Sequence, residues 1–385
     1  MEEEETIAVP VNDEDDPSST LLDLTSYQLH DLDSVELPPS LTELDLTANR
    51  LSTLDPRIGN LSHLQKLSLR QNLFSDAAVL PLSSWNALSS LEELVLRDNQ
   101  FKNIPDVSVF KKLLVFDVAF NEISSLHGLS RVSDTLKELY VSKNEVAMIE
   151  EIEHFHQLQL LELGSNKLRV MENLQSLENL QELWLGRNRI KVVNLCGLKC
   201  IKKISLQSNR LTSMMGFDGC VALEELYLSH NGIAKMEGLS SLVNLRVLDV
   251  SSNKITLVDD IVNLTKYLYS TDNLLYGFAL VDSLPHIIYC RLEDLWLNDN
   301  QIASLEGIAE AVTGSKEKLT TIYLENNPCV WLRRPTILEF YGKSSPTFNK
   351  LILIYFLRSF LASAFLKTVA LKLSLFKSIY SGLKD

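Results

Sequence analysis

The side chains best suited to chemistry in this chain are seven histidines, five cysteines and 50 carboxylates. Their spacing argues against a reaction centre. Cys196 and Cys200 lie four apart without paired histidines, so no zinc site is expected there. His154 and His156 fall in a stretch without strand character and are predicted to face solvent. The sequence has no G-x-x-x-x-G-K-[ST] phosphate loop, no dinucleotide glycine fingerprint and no G-x-S-x-G elbow. The carboxylates are spread along a repeating surface, without the cleft that would shift their pKa values. The expectation is a protein that is not an enzyme and needs neither cofactor nor metal.

A second kind of chemistry, recognition, does recur at regular spacing. Asp45, Ser68, Val95, Asp117, Tyr140, Glu162, Trp184, Ser205, Tyr227, Asp249, Trp296 and Tyr323 each stand four residues before an asparagine. Five of the twelve are aromatic and four acidic, and two of the chain's four tryptophans are among them. Aromatic residues favour strands by propensity alone. Propensity does not, however, place large rings repeatedly on the open side of a one-sided sheet. Exposed Trp and Tyr among carboxylates have the composition of interface anchors with a charged surround.

The element that must position them is a repeat. The string L-x-x-L-x-L-x-x-N, with other apolar residues allowed at the Leu places, recurs with its Asn at 49, 72, 99, 121, 144, 166, 188, 209, 231, 253, 300 and 327. Apart from a few insertions the period is 22, and twelve matches in phase are not chance. In Leu180-Gln-Glu-Leu183-Trp-Leu185-Gly-Arg-Asn188 the alternating part predicts a short strand with Leu183 and Leu185 turned inward. The Asn amide has donors and an acceptor for the turn that leaves the strand, so the asparagines should stack as a ladder. Ile190, Val193, Leu195 and Leu198 would supply the apolar contacts of the opposite, convex side. One such unit cannot bury its own leucines, so neighbours must stack into a curved parallel solenoid, a horseshoe of about 12–13 repeats with short helical or 3-10 segments on the convex side. Stacked strands about 4.8 Å apart spread the twelve column positions over roughly 55 Å, a surface for a folded protein rather than a small-molecule pocket. Leu22-Asp-Leu24-Thr-Ser-Tyr27 lies one period before Asn49 and predicts an atypical first repeat with Tyr in the Asn place.

The net charge of −14 opposes a general nucleic-acid binder, which needs a basic face, and fits a basic protein partner better. An odd number of cysteines without C-x-x-C predicts a reducing compartment and free, mostly buried thiols. The opening Met-Glu-Glu-Glu-Glu has no basic region or apolar run behind it, so no secretory signal is expected. Residues 1–20 hold eight acids and two prolines and are predicted to be a solvated, disordered tail; a specific acidic docking role is the alternative.

Several stretches carry a likeness: Leu161-Glu-Leu-Gly-Ser-Asn166, Leu206-Gln-Ser-Asn209-Arg-Leu, Leu226-Tyr-Leu-Ser-His-Asn231-Gly-Ile and Trp296-Leu-Asn-Asp-Asn300. Over residues 21–329 the chain resembles the Sds-twenty-two family of leucine-rich-repeat proteins, regulatory subunits of the serine/threonine phosphatase protein phosphatase 1, and the N-terminal wording is similar to plant members. The resemblance implies a leucine-rich-repeat solenoid that binds the phosphatase catalytic subunit through its concave face, in nucleus and cytoplasm, with a third regulatory protein as a further partner. It also implies contact residues. Asp117, Glu162, Asp249, Trp296 and Tyr323 match the family's acidic or aromatic contacts in type. Tyr140 and Trp184 stand where the family usually has another aromatic residue, and Asp294 matches an acidic contact. Tyr227 joins this set because it lies in the same column.

Two segments depart from the pattern. The gap between Asn253 and Asn300 is 47 residues, and removing residues 267–291 restores the period of 22. An insertion into a complete repeat is the first reading, one that should bulge outward or weaken the stacking there. An irregular solenoid turn of its own is the second. Residues 330–385 carry nine Lys/Arg and two acids, where the family usually has a polar-backed capping helix. Three readings stay open for this basic, hydrophobic tail: a tail that never folds on the solenoid, a makeshift cap, or an amphipathic anchor. The last would make the chain a membrane-associated signalling scaffold. An RNA-processing scaffold of similar repeats is a further alternative, but it would have far fewer units.

Overall fold

A computed structural model describes residues 20–195, 197–258, 291–303, 308 and 319–331. The acidic segment 1–19, Cys196, residues 267–290 of the insertion and residues 332–385 lie outside the described residues, and so do the expectations placed on them. The chain divides into two compact units, one running to Ile123 and including Arg131–Leu136, the other holding Ser124–Ser130 and the chain from Lys137.

The first unit contains β1 (Leu21–Asp23), β2 (Glu43–Asp45), β3 (Lys66–Ser68), β4 (Glu93–Val95) and β5 (Val115–Asp117), paired in parallel in chain order. The second contains β6 (Glu138–Tyr140), β7 (Leu160–Glu162), β8 (Glu182–Trp184), β9 (Lys203–Ser205), β10 (Glu225–Tyr227), β11 (Val247–Asp249), β12 (Asp294–Trp296) and β13 (Thr321–Tyr323). These too pair in parallel, each with its neighbour in sequence. The described residues include 3-10 turns at Ile58–Asn60, Leu80–Ser84 and Leu129–Arg131 and the four-residue α1 (Pro328–Trp331), and Ile308 is helical as well. This is a parallel-sheet solenoid with 22-residue turns and little helix.

Each strand is three residues long, and its middle side chain points inward. Leu183 and Leu185 are both fully buried, as are their counterparts Leu226 and Leu228 one pair of repeats on. Ile190, Val193, Leu195 and Leu198 fill the opposite side of the repeat as expected. Burying each such side chain contributes about 1.5–3 kcal/mol, and every repeat relies on its neighbours for that burial.

The turn out of the strand is held by the ladder. The residue before every ladder asparagine has a left-handed backbone, from Ala48 (φ 58°) through Arg187 (φ 57°) to Asn326 (φ 57°). For a residue other than glycine that conformation costs about 1–2 kcal/mol, so the turn must be over-determined. Asn188 shows how. Its Nδ2 donates to Leu163 O (2.9 Å) and Leu185 O (3.0 Å), while its Oδ1 accepts the Leu168 N–H (3.0 Å). One amide thus ties its own turn to that of the preceding repeat. Asn72, Asn166, Asn231 and Asn253 make the same set.

β1 pairs with β2 in the register predicted for an atypical first repeat, and Ser26 before Tyr27 has the left-handed backbone of a ladder turn (φ 67°). Between Asn253 and Asn300 the described strands on either side meet in register. β11 pairs directly with β12, and Asn300 accepts the Ile255 N–H (2.9 Å) and donates to Val250 O (2.9 Å) as if one ordinary period separated them. Arg246 adds an ion pair to Glu293 (3.0 Å) across the same joint.

Candidate protein-binding face

The strand register lines up the predicted column within each unit. In the first, Asp23, Asp45, Ser68, Val95 and Asp117 are successive partners. In the second the series is Tyr140, Glu162, Trp184, Ser205, Tyr227, Asp249, Trp296 and Tyr323. The middle residue of each strand is inward, so this column and the one two residues before it share the strand face.

The aromatic residues on that face are organised in pairs. Trp184 and Tyr227 sit two strands apart, yet their rings stack at 6.5 Å between centroids with 19° between planes. Ser205, the small residue on β9, lies between them in register and is buried. Each ring is tethered to its own strand: Trp184 Nε1 donates to Glu182 Oε2 (3.2 Å) and Tyr227 Oη to Glu225 Oε2 (2.9 Å). Lys203, between these two glutamates, lies 3.8 Å from both. Burial and then the Glu225 hydrogen bond push the Tyr227 hydroxyl up to about 12, so it stays a donor throughout the neutral range. Trp296 and Tyr323 form a second pair, edge to face at 5.0 Å, with Trp296 39% exposed. Tyr140 is half-buried and bonded to Glu138 (2.7 Å), and Glu162 is half-buried between Tyr140 and Trp184 in register.

Two predicted acids are placed differently from a simple outward column. Asp249 is only 6% exposed and its Oδ1 accepts from the Ser251 N–H (3.0 Å) and hydroxyl (2.6 Å). Asp117, 9% exposed, accepts the Ala119 N–H (2.8 Å) and lies 3.6 Å from Arg97. These carboxylates close the turn two residues on, and their neighbours cover them. Asp294, by contrast, is half-buried beside Trp296 in the first column of the face. That first column is what the spacing argument largely missed. The signal was present, since an acid, a leucine and an aromatic residue recur at 138–140, 182–184, 225–227 and 294–296.

No group of three or more His, Cys, Asp or Glu among the described residues is arranged to hold a metal ion. A hollow of about 150 Å³ between Asp23, Glu43, Asp45, Lys66 and Glu93 in the first unit is smaller than small-molecule pockets, which run to roughly 300–1,000 Å³. His156 is exposed and His154 half-buried against Phe155. Among the described cysteines Cys220 and Cys329 are buried and Cys200 is exposed. No helix of the described residues is long and apolar enough to cross a membrane.

Fold and face together define a leucine-rich-repeat protein. Residues 221–264 match the family described as Leucine Rich repeats (2 copies). An internalin of Listeria monocytogenes superposes with a TM-score of 0.64 at 22% identity, covering 80% of this chain and 81% of the other. A leucine-rich-repeat protein of Leptospira interrogans does so at 0.57 and 25% identity, over 79% and 78%. In sequence the chain is 71% identical over 312 residues to the Arabidopsis thaliana protein named "Protein phosphatase 1 regulatory inhibitor subunit PPP1R7 homolog", covering 81% of this chain and 88% of that one. The chain belongs to that protein's family, the Sds-twenty-two family.

Proposed function

We propose that this chain is a non-catalytic regulatory subunit that binds the catalytic subunit of protein phosphatase 1 through its strand face. The observation that carries the reading is the pairing of aromatic rings on that face, Trp184 and Tyr227 tethered as well, in a chain 71% identical to a protein named as such a subunit. Rings fixed before contact lose little rotamer freedom on binding, which is what an interface anchor needs. Trp184, Tyr227, Trp296, Tyr323 and Tyr140 are the anchors, and Glu162 and Asp294 supply charge for a basic partner surface. Asp117 and Asp249 act by holding the turns that set the height of their neighbours. The complex would form in nucleus and cytoplasm, and the remaining surface leaves access for a third regulatory protein.

The test is affinity of the full chain for the purified phosphatase catalytic subunit by calorimetry. Central anchors contribute about 2 kcal/mol or more each. Trp184→Ala with Trp296→Ala should therefore weaken binding by roughly several hundredfold. Unchanged affinity in a double variant that keeps its thermal midpoint would remove this face from the interaction.

A further inference from the structure

Past the ladder turn, off the strand face, three adjacent repeats of the second unit carry a strip of unusual charge. The segments 165–170, 187–192 and 208–213 hold Lys167, Arg169, Arg187, Arg189, Lys191 and Arg210 and no acid, in a chain with 50 acids to 36 basic residues. Backbone hydrogen bonds stack these segments: the Arg189 N–H donates to Leu168 O (2.8 Å) and the Arg210 N–H to Ile190 O (2.9 Å). Successive basic residues therefore lie one above another, about 5 Å apart in the backbone. Arg169, Arg187, Lys191 and Arg210 are exposed. Of the six, only Lys167 has an ion pair among the described residues, to Glu145 at 3.0 Å. Within the strip Val170 is 56% and Val192 71% exposed, both four residues after their ladder asparagine, with exposed Met148 at the same place one repeat earlier.

The fold asks for none of this. These positions are open to solvent, like charges at such spacing repel, and the valines lose nothing by being polar. We propose that the strip is a second docking surface, for an acidic, extended peptide segment of a partner protein that carries aliphatic side chains between its carboxylates. Guanidinium forks pair bidentately with carboxylates, and an extended peptide puts alternate side chains on one side about 6.8 Å apart. Two or three such residues span the three rungs, with an aliphatic side chain left to cover Val170 and Val192. The apolar seam favours a peptide over a nucleic acid. So does the strip's want of aromatic rings for base stacking, and the −14 net charge would repel a long polyanion. This surface is separate from the aromatic face and its test is independent of phosphatase binding.

The probe is a fluorescein-labelled peptide of alternating Glu and Val, titrated with the full chain by fluorescence anisotropy. An all-Glu peptide and an oligothymidine of equal length are the comparators. The expected result is saturable binding to the Glu/Val peptide that weakens as salt rises past about 0.1 M, and that is about tenfold tighter than to either comparator. Arg169→Glu with Lys191→Glu and Arg210→Glu should weaken it at least about tenfold. Trp184→Ala with Trp296→Ala should leave it unchanged. If the triple variant fails to fold, Lys191→Glu alone at its exposed position should still cost about threefold. Absence of binding at low salt, equal binding by a folded variant, or oligothymidine binding as tightly as the peptide would each overturn the proposal.

Discussion

Replacing Asn188 tests the ladder on which the face depends, because its hydrogen bonds can be counted. The side chain accepts the Leu168 N–H and donates to Leu163 O and Leu185 O, with Gly186 O farther off at 3.4 Å. In Asn188→Ala the two carbonyls are not stranded. Leu163 O keeps the Asn166 amide (3.0 Å) and Leu185 O keeps that of Asn209 (3.0 Å). Only the buried Leu168 N–H is orphaned, costing about 1–3 kcal/mol, and each lost second hydrogen bond adds about 0.5–1 kcal/mol. The sum is about 2–5 kcal/mol. Asn188→Asp keeps the acceptor for Leu168 but aims a carboxylate oxygen at two carbonyls, so the folded state favours its protonated form and raises its pKa. The sign follows: the Asp variant is most stable below the unfolded carboxyl pKa of about 3.9 and loses stability as pH rises toward neutrality. Urea titration read by fluorescence and circular dichroism measures both effects, and Trp184 stands in the same repeat as a local reporter. A loss below about 0.5 kcal/mol for Asn188→Ala, or an Asp variant with no pH dependence beyond that of the Ala variant, would refute the reasoning.

Other expectations follow from the same geometry. Glu151 accepts from the Gly128 N–H (2.8 Å), the Ser130 N–H (3.2 Å) and hydroxyl (2.7 Å) and meets His127 Nδ1 (2.6 Å). The Ser130 hydroxyl first, then the two N–H groups, lower its carboxyl to about 2, so the stability it contributes is present above the usual carboxylate range and lost as pH falls toward 2. Glu151→Gln should flatten that limb of a urea-midpoint curve measured between about pH 5 and 2. Burial holds the Cys220 thiol up at about 12 and Cys329 at about 11, whereas Cys200 is exposed. Iodoacetamide followed by peptide mass mapping should therefore label Cys200 in the native chain and reach Cys220 and Cys329 only after denaturation.

The phase of the repeat was legible because one asparagine in 22 marks it and a period-2 strand follows from it. That was enough to place Trp184, Tyr227 and Trp296 on one face. Counting along a column could not show that Asp249 turns into its own loop. The decisive fact there is a local one, a serine two residues later that offers both an N–H and a hydroxyl. The same two-residue reach recurs from Asp45 to the Thr47 N–H and from Asp117 to the Ala119 N–H, so an Asp at the strand exit is the signal to look for. The Trp184–Tyr227 stack was beyond any single repeat, since it needs the small Ser205 between them to let the rings meet.

The joint between Asn253 and Asn300 has a practical consequence. There 47 residues occupy one interval of the ladder, and the rungs on either side still meet in register. Position along this molecule is therefore indexed by rung number rather than residue number. The interval is an address at which evolution or an engineer can splice in a reporter, a tether or a second recognition module while Tyr227, Trp296 and Tyr323 keep their order.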